Sequence, residues 1–267
     1  MFALNLTQLL GNPGSRTMTF DLTFFALAIP AVLFAGIAKG GFAGGGAFAA
    51  TPILALVLTP GQAVGLMLPL LMMMDVATLR PYWGKWDRTA AILLLIGAMP
   101  GVAIGAAIYR YANPNAFKLL IGVIAIGFVA FQLARRTGLL KLQQRELGAK
   151  SGLFAGISAG FTSFVSNAGG PPAAVYLLLK GVTKTEFQAT NVIVFWVVNL
   201  VKFIPFLALG LATRQTITAD LMLAPVALVG AWLGIKAHNA VSENVFFGLT
   251  YVVLVVTGSK LIWDALI

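Results

Sequence analysis

The sequence predicts an all-α membrane protein that crosses the bilayer several times. Hydrophobic residues make up 59% of the chain and charged residues only 10%, whereas about a quarter of the residues in a soluble domain are charged. Long apolar runs follow one another with short loops between them. The 267 residues allow about six to eight crossings. Two glycine-rich breaks interrupt the pattern at matching places in the two halves.

The first break is residues 39–47, K-G-G-F-A-G-G-G-A, in which five of nine residues are glycine. Each glycine costs roughly 1 kcal/mol against alanine inside a helix, so an interruption is expected between the apolar runs 20–37 and 48–58. The second break is residues 163–172, S-F-V-S-N-A-G-G-P-P. We interpret the two breaks as the walls of one binding site.

The further apolar runs are residues 63–79, 90–109, 117–133, 152–164, 173–179, 187–211, 221–235 and 245–262. A membrane-spanning helix needs about 17 to 25 residues, so the runs 48–58 and 173–179, each next to a break, are too short. Short, interrupted apolar segments at corresponding places in two halves indicate the binding site of a transporter.

The two halves also match residue by residue. L-F-A-G-I at residues 33–37 recurs at residues 153–157, and Pro52 falls opposite Pro172 at the same offset of 120. At an offset of 129, a second set falls opposite one another in order: Gly101, Gly105, Asn115 and Phe117 with Gly230, Gly234, Asn244 and Phe246. These matches predict an internal duplication.

A basic linker separates the halves and predicts the topology. Residues 134–150 carry five Lys or Arg and one Glu, which indicates a cytoplasmic segment by the positive-inside rule. The expected organisation is therefore an N-terminal surface segment at 1–19, a first transmembrane repeat at 20–133, the linker at 134–150 and a second repeat at 151–267.

Each break is expected to lie in a re-entrant helical hairpin, since non-helical backbone is tolerated at depth where protein or water surrounds it. One hairpin and three crossings in each half give eight segments. Because three is odd, the halves would be inverted relative to each other. The distribution of Lys and Arg fits parallel repeats about equally well, so that alternative stays open.

The breaks offer backbone donors to an anion. The returning half-helices are expected to start near Gly46 and Gly170, where unpaired N–H groups and the positive end of the helix dipole attract anions. Glycines at these starts would let an oxyanion approach: Gly44, Gly45, Gly46, Gly169 and Gly170. The alternative is close packing of helices on small residues.

Polar side chains in the two breaks and in the apolar run 187–211 are the other candidates for anion binding: Lys39, Ser166, Asn167, Asn191, Asn199 and Lys202. A cation inside a membrane helix is costly and usually functional, although Lys202 could instead extend to the interface. Asn199 could equally bond a neighbouring helix. Asp75 and Arg80 are candidates for coupling or gating, with Asp75 either a proton carrier or the ion-pair partner of Arg80, which we favour.

Several function classes are excluded by what the sequence lacks. There is no cysteine and only one histidine, His238, so thiol chemistry and a transition-metal site are not expected. No nucleotide-binding or catalytic motif occurs, and we expect neither an enzyme nor a cofactor. The net charge of +10 is attributed to topology and anionic lipid, not to nucleic acid.

The chain resembles the TauE/SafE family of membrane permeases, often called sulfite exporters. The resemblance is carried by the duplicated L-F-A-G-I before a glycine-rich break, by G-G-P-P at 169–172 after Asn167, and by the basic linker. It extends from about residue 24 to residue 262. It implies a transporter, usually an exporter, of sulfur-containing anions such as sulfite or sulfoacetate.

The sequence and the resemblance together predict a secondary transporter that binds a small anion between the two breaks and works by alternating access. An anion channel that uses the same hairpins as a pore is the alternative. The expected partners are the anion and the lipid bilayer, with a homodimer left open. The short loops and the absence of a cleavable signal sequence indicate a bacterial inner membrane.

Overall fold

The computed structural model describes residues 18–42, 46–140, 147–237 and 243–267. Within these ranges the chain is all-helical, with ten α-helices: α1 (Leu22–Gly41), α2 (Ala50–Leu54), α3 (Pro60–Leu79), α4 (Arg88–Tyr111), α5 (Pro114–Arg136), α6 (Ala149–Ser166), α7 (Gly170–Lys180), α8 (Lys184–Ala208), α9 (Arg214–Ala237) and α10 (Glu243–Leu266). Short 3₁₀ helices precede α2 (Ala47–Ala49) and follow α3 (Arg80–Tyr82).

Seven of the described helices are long and apolar enough to cross a membrane: α1, α3, α4, α5, α8, α9 and α10. Their outer faces carry large apolar side chains such as Leu221, Val252 and Trp263, which are more than 60% exposed. Apolar surface of this kind faces lipid in a multi-pass membrane protein.

Four predicted features lie wholly or partly outside the described residues. They are Gly44 and Gly45 of the first break, most of the N-terminal segment 1–19, the middle of the linker at 141–146, and His238.

Both breaks are shorter than predicted, because helix continues through residues that were assigned to them. In the first half α1 continues to Gly41, so Lys39 is helical. In the second half α6 continues to Ser166 and α7 begins at Gly170. The helix propensity of glycine is overridden in α1 because Gly40 and Gly41 pack directly on the backbone of α9.

The halves pack by reciprocal helix pairs, α1 on α9 and α4 on α6. A Cβ added to Gly230 would lie 2.7 Å from the carbonyl oxygen of Leu33, and one added to Gly97 would lie 2.2 Å from that of Leu153. Since Leu33 and Leu153 are equivalent in the duplicated L-F-A-G-I, Gly97 of α4 corresponds to Gly230 of α9.

The same comparison corrects the sequence alignment of the second pair of helices. Gly234 approaches the carbonyl oxygen of Ile37, and Gly101 approaches that of Ile157, so Gly101 corresponds to Gly234. The packing offset is therefore 133, and the match of Gly101 with Gly230 at an offset of 129 is wrong by about one helical turn.

Alanine at Gly101 or Gly234 is expected to destabilise the protein. The added Cβ would lie 2.1 Å or 2.4 Å from a backbone carbonyl oxygen, and overpacking of this kind costs about 1–3 kcal/mol. Gly127→Ala in α5 is the matched control, since a Cβ there meets nothing within 4 Å. Thermal unfolding in detergent would measure the difference, and equal stability of all three variants would contradict it.

Contacts at the helix ends define two ends of the molecule. One end is here called the linker end, because the chain enters α6 there from the linker. At this end, Lys180 Nζ at the end of α7 lies 2.6 Å from Asp87 Oδ2 just before α4. Gly152 near the start of α6 also packs on Tyr176 of α7. Burial acts to raise the pKa of Asp87, but hydrogen bonds from the backbone N–H of Ala90 and from Lys180 hold it below its usual value. The start of α6 and the end of α7 therefore lie at the same end of the molecule.

The opposite end, here called the far end, contains the starts of α1, α3 and α9. Gly61 near the start of α3 packs on Tyr109 of α4 and on Leu211, which follows α8. The backbone N–H of Met18, before α1, donates to Gln215 Oε1 of α9 at 3.2 Å. The chain thus enters α1 and enters α3 at the far end, with the first break between them.

Candidate functional site

Helices α3 and α8 meet at a polar pair near the middle of the molecule. Both begin with a reciprocal capping box, Thr59 with Gln62 and Thr183 with Glu186. Asp75 and Asn199 each lie 16 residues after the capping threonine. Asn199 Nδ2 donates to Asp75 Oδ2 at 2.8 Å, so equivalent positions of the two halves are hydrogen-bonded to each other.

Asp75 also forms an ion pair, with Lys39 of α1. Its side chain is fully buried and that of Lys39 is 12% exposed. The predicted pair of Asp75 with Arg80 is wrong. Arg80 is exposed, in the 3₁₀ helix after α3, and residues five apart do not share a helix face.

Lys202 of α8 is fully buried and does not extend to an interface. Its ammonium group donates to Ser163 O at 3.0 Å, to Ser163 Oγ at 3.2 Å and to Asn167 Oδ1 at 2.7 Å. These contacts place a cation at the C-terminal end of α6, where the helix dipole is negative. They also use all three donors of an ammonium group.

Asn167 forms the second break and links it to the first. It is the one residue other than glycine with a positive φ in the described part of the chain, at 56°, a conformation that asparagine tolerates better than most residues. Its Oδ1 accepts from Lys202, and its Nδ2 donates to Thr51 Oγ1 of α2 at 3.1 Å. A chain of hydrogen bonds therefore runs from α8 through the second break to the short helix after the first.

A small cavity of about 40 Å³ lies among these groups, enough for about three water molecules. Polar groups from both halves line it: Lys39, Asp75, Ser163, Asn167, Gly170, Gln188, Asn191 and Asn199. Ala47 and Phe48 at the start of the 3₁₀ helix complete the first-half wall, with Leu71, Val192 and Phe195 as apolar lining.

A wide cavity of about 850 Å³ adjoins the small one. Gly170 and Gln188 line both. Its lining extends from Phe42 and Pro171, next to the two breaks, towards the linker end, and includes the cations Arg135, Arg136 and Lys184. A basic cavity of this size leads to the small polar cavity from one end of the molecule.

The half-helices start where the sequence predicted, but they differ as anion sites. Gly46 caps the 3₁₀ helix Ala47–Ala49, and Gly169 caps α7. Two residues of the first turn of α7, Pro171 and Pro172, have no N–H group. The start of α7 therefore offers fewer backbone donors than we expected.

The structure brings together six of the predicted site residues around the small cavity: Lys39, Asp75, Asn167, Gly170, Asn191 and Asn199. Lys202 lies behind the wall and acts on it through Ser163 and Asn167.

Three others are buried but are absent from the lining of the cavity. Ser166 Oγ donates to Thr162 O within its own helix. A Cβ on Gly46 would contact the Phe246 ring, and one on Gly169 would contact Phe195, so these glycines are packing positions.

Ser163 and Thr51 are site residues that were not predicted from the sequence. Ser163 lies at the start of the predicted second break, and the excess of small polar residues there was the available signal. Thr51 is an ordinary residue of a short helix, and only the tertiary contact with Asn167 identifies it.

A family model described as "Sulfite exporter TauE/SafE" matches residues 28–261, a range that includes both breaks and all the residues that line the small cavity. A search of curated proteins and a search of solved structures returned no match.

Proposed function

This chain belongs to the TauE/SafE sulfite exporter family of membrane transporters, and from that premise we propose that it exports a small sulfur-containing anion, such as sulfite or an organosulfonate, by alternating access. The anion binds in the small cavity between the two breaks. Lys39, Asn167, Asn191 and Asn199 contact it, and Lys202 positions the second break.

The observation that carries the proposal is the charge of the site. Two ammonium groups, Lys39 and Lys202, surround a single carboxylate, Asp75, in the protein interior. Ionised, they sum to one positive charge, and an unbalanced charge in this environment is costly. A bound monoanion would neutralise it, which gives the cavity a physical preference for anions.

Helix directions support the inverted-repeat part of the proposal. In the second half, α6 starts at the linker end and α7 returns to it. In the first half, both α1 and α3 start at the far end, and the chain between these two starts contains the first break. We infer a re-entrant hairpin from each side, each followed by three crossings. The reciprocal pairs α1 with α9 and α4 with α6 are those that a two-fold axis in the membrane plane would relate.

The linker end is proposed to face the cytoplasm, because it carries Arg135, Arg136 and Lys184 and continues into the basic linker. The wide cavity would then be the cytoplasmic entrance, and its cations would raise the local concentration of anions. At the far end, Leu211 packs on Gly61 and Gly65. Closure of one end while the other is accessible favours a carrier over the alternative of a channel.

The proposal is tested first by the thermal stability of the purified protein against sulfite, sulfate, thiosulfate, sulfoacetate, taurine, chloride and acetate. A ligand at 100 times its dissociation constant stabilises by about 2.7 kcal/mol. We expect a selective rise with sulfite or one sulfonate. The rise should be lost in Lys39→Met and kept in Lys260→Met, an exposed lysine of α10.

Flux into proteoliposomes separates the carrier from the channel. A carrier gives saturable uptake that internal substrate accelerates, whereas a channel gives faster flux without such exchange. Stabilisation by no anion of the panel, together with the absence of exchange, would refute the proposed substrate class.

A further inference from the structure

Asp220 is a buried carboxylate that has no role in the anion site. It lies on α9 and is 6% exposed, and neither oxygen has a hydrogen-bond partner in the described part of the chain. Ala219 and Leu223 on the same helix belong to an apolar core shared with α1 and α3. Within the described residues, these apolar neighbours do not offset a negative charge.

The charged groups on the neighbouring helices are engaged elsewhere. On α1 and α3, Lys39 and Asp75 pair with each other, and Asp21 accepts from the Phe24 N–H as the cap of α1. On α9 itself Arg214 and Lys236 are exposed, and Lys236 lies over the Trp232 ring. None of them forms an ion pair with Asp220 among the described residues.

Asp220 lies near the far end, away from the wide cavity. It comes six residues after Arg214, the first residue of α9, or about 9 Å along the helix. Ala231, where α9 contacts Gly36 and Gly40 of α1, is about 16 Å further along. Helix α9 thus connects Asp220 with the helix that carries Lys39.

An unpaired ionised carboxylate in an apolar interior costs several kcal/mol or more, and binding a proton removes the charge. We propose that Asp220 is a proton-binding site that couples transport to a pH gradient. It holds a proton in this conformation. Over one transport cycle, as α9 moves against α1 and α3, it takes that proton from the aqueous phase on one side of the membrane and releases it on the other. This inference rests on the proposed anion transport and adds the coupling ion.

The test compares two fluxes in proteoliposomes with the membrane potential clamped. Exchange of labelled sulfite for internal sulfite needs no net proton movement, whereas accumulation driven by a pH gradient does. One pH unit supports about tenfold accumulation per coupled proton. We expect wild-type protein to perform both, and Asp220→Asn, which mimics the neutral acid, to keep exchange and lose accumulation.

Asp264→Asn is the matched control, because Asp264 is a partly exposed carboxylate that pairs with Lys260 one turn earlier. It should keep both activities. Three results would overturn the proposal: wild-type exchange without any response to the pH gradient, an unchanged response in Asp220→Asn, or loss of exchange in a stable Asp220→Asn protein. Absence of sulfonate or sulfite exchange in the wild type would instead refute the proposed function.

Infrared spectroscopy tests the bound proton without relying on transport. Wild-type protein should show the carbonyl stretch of a protonated carboxyl group, absent from Asp220→Asn and retained by Asp264→Asn. If Asp220→Asn fails to fold, loss of this band when wild-type protein is titrated to alkaline pH still reports the proton. No such band in the wild type would overturn the assignment.

Discussion

Replacing Lys202 with methionine is expected to abolish transport, with a loss of at least about a hundredfold. The substitution leaves Asn167 Oδ1 without its donor from Lys202, at a cost of about 1–3 kcal/mol for an unsatisfied group. Ser163 O loses one of two donors, since it also accepts from the Asn167 N–H. It also removes the cation from the end of α6. Asn167, held in a left-handed conformation that few residues adopt, would no longer be fixed against α8.

The measurement is exchange of labelled anion in proteoliposomes, with thermal unfolding as the check on folding. Lys236→Met is the matched control, because Lys236 lies on the outer face of α9 over Trp232 and should be neutral. A Lys202→Met protein that unfolds at a lower temperature but exchanges anion at the wild-type rate would show that Lys202 serves folding alone.

Much of the fold could be predicted from the residue pattern, because the length of an apolar run and the positions of its glycines are local features of the sequence. Long apolar runs predicted the membrane-spanning helices, and the starts of both half-helices were placed at Gly46 and Gly170. The ends of the breaks were less accurate, since Gly40 and Gly41 remain helical only because α9 packs closely on them. The local sequence shows the low helix propensity of these glycines but not the distant helix that overrides it.

The candidate site was predictable as a set of polar residues but not as a network. Asp75 was assigned to Arg80 because the two are close in sequence, whereas its partners Lys39 and Asn199 lie 36 and 124 residues away. The equivalence of Asp75 and Asn199 had one sequence signal, the capping threonine 16 residues before each. The equivalence is otherwise hidden, because one residue is an acid and the other an amide.

In the proposed function that difference matters, because the two halves contribute unequal charge at equivalent positions. A carboxylate in α3 offsets Lys39, while the amide in α8 leaves Lys202 without a charged partner. Two amides would leave two unneutralised cations, and two carboxylates would leave no net charge. In the proposed mechanism, the single carboxylate would keep the site attractive to an anion without holding the anion permanently.

Asp75→Asn and Asn199→Asp are therefore expected to change anion affinity in opposite directions. The first raises the charge of the site by one and the second lowers it by one. A unit charge about 5 Å from the anion contributes on the order of 3 kcal/mol at an effective dielectric constant of 20, or about a hundredfold in affinity. Thermal stabilisation by titrated anion measures both shifts.

Transport should fall in both variants, for different reasons. Asp75→Asn binds the anion tightly and releases it slowly, so its exchange saturates at low concentration with a reduced maximum rate. Asn199→Asp binds the anion more weakly, so little anion is bound at concentrations that saturate the wild-type protein. Breaking the buried pair also costs about 3–5 kcal/mol of stability in Asp75→Asn, and the double variant Lys39→Met with Asp75→Asn should recover most of that stability without recovering transport. Weaker anion binding by Asp75→Asn would mean that the carboxylate holds Lys39 in its binding position, and charge balance would then not explain the site.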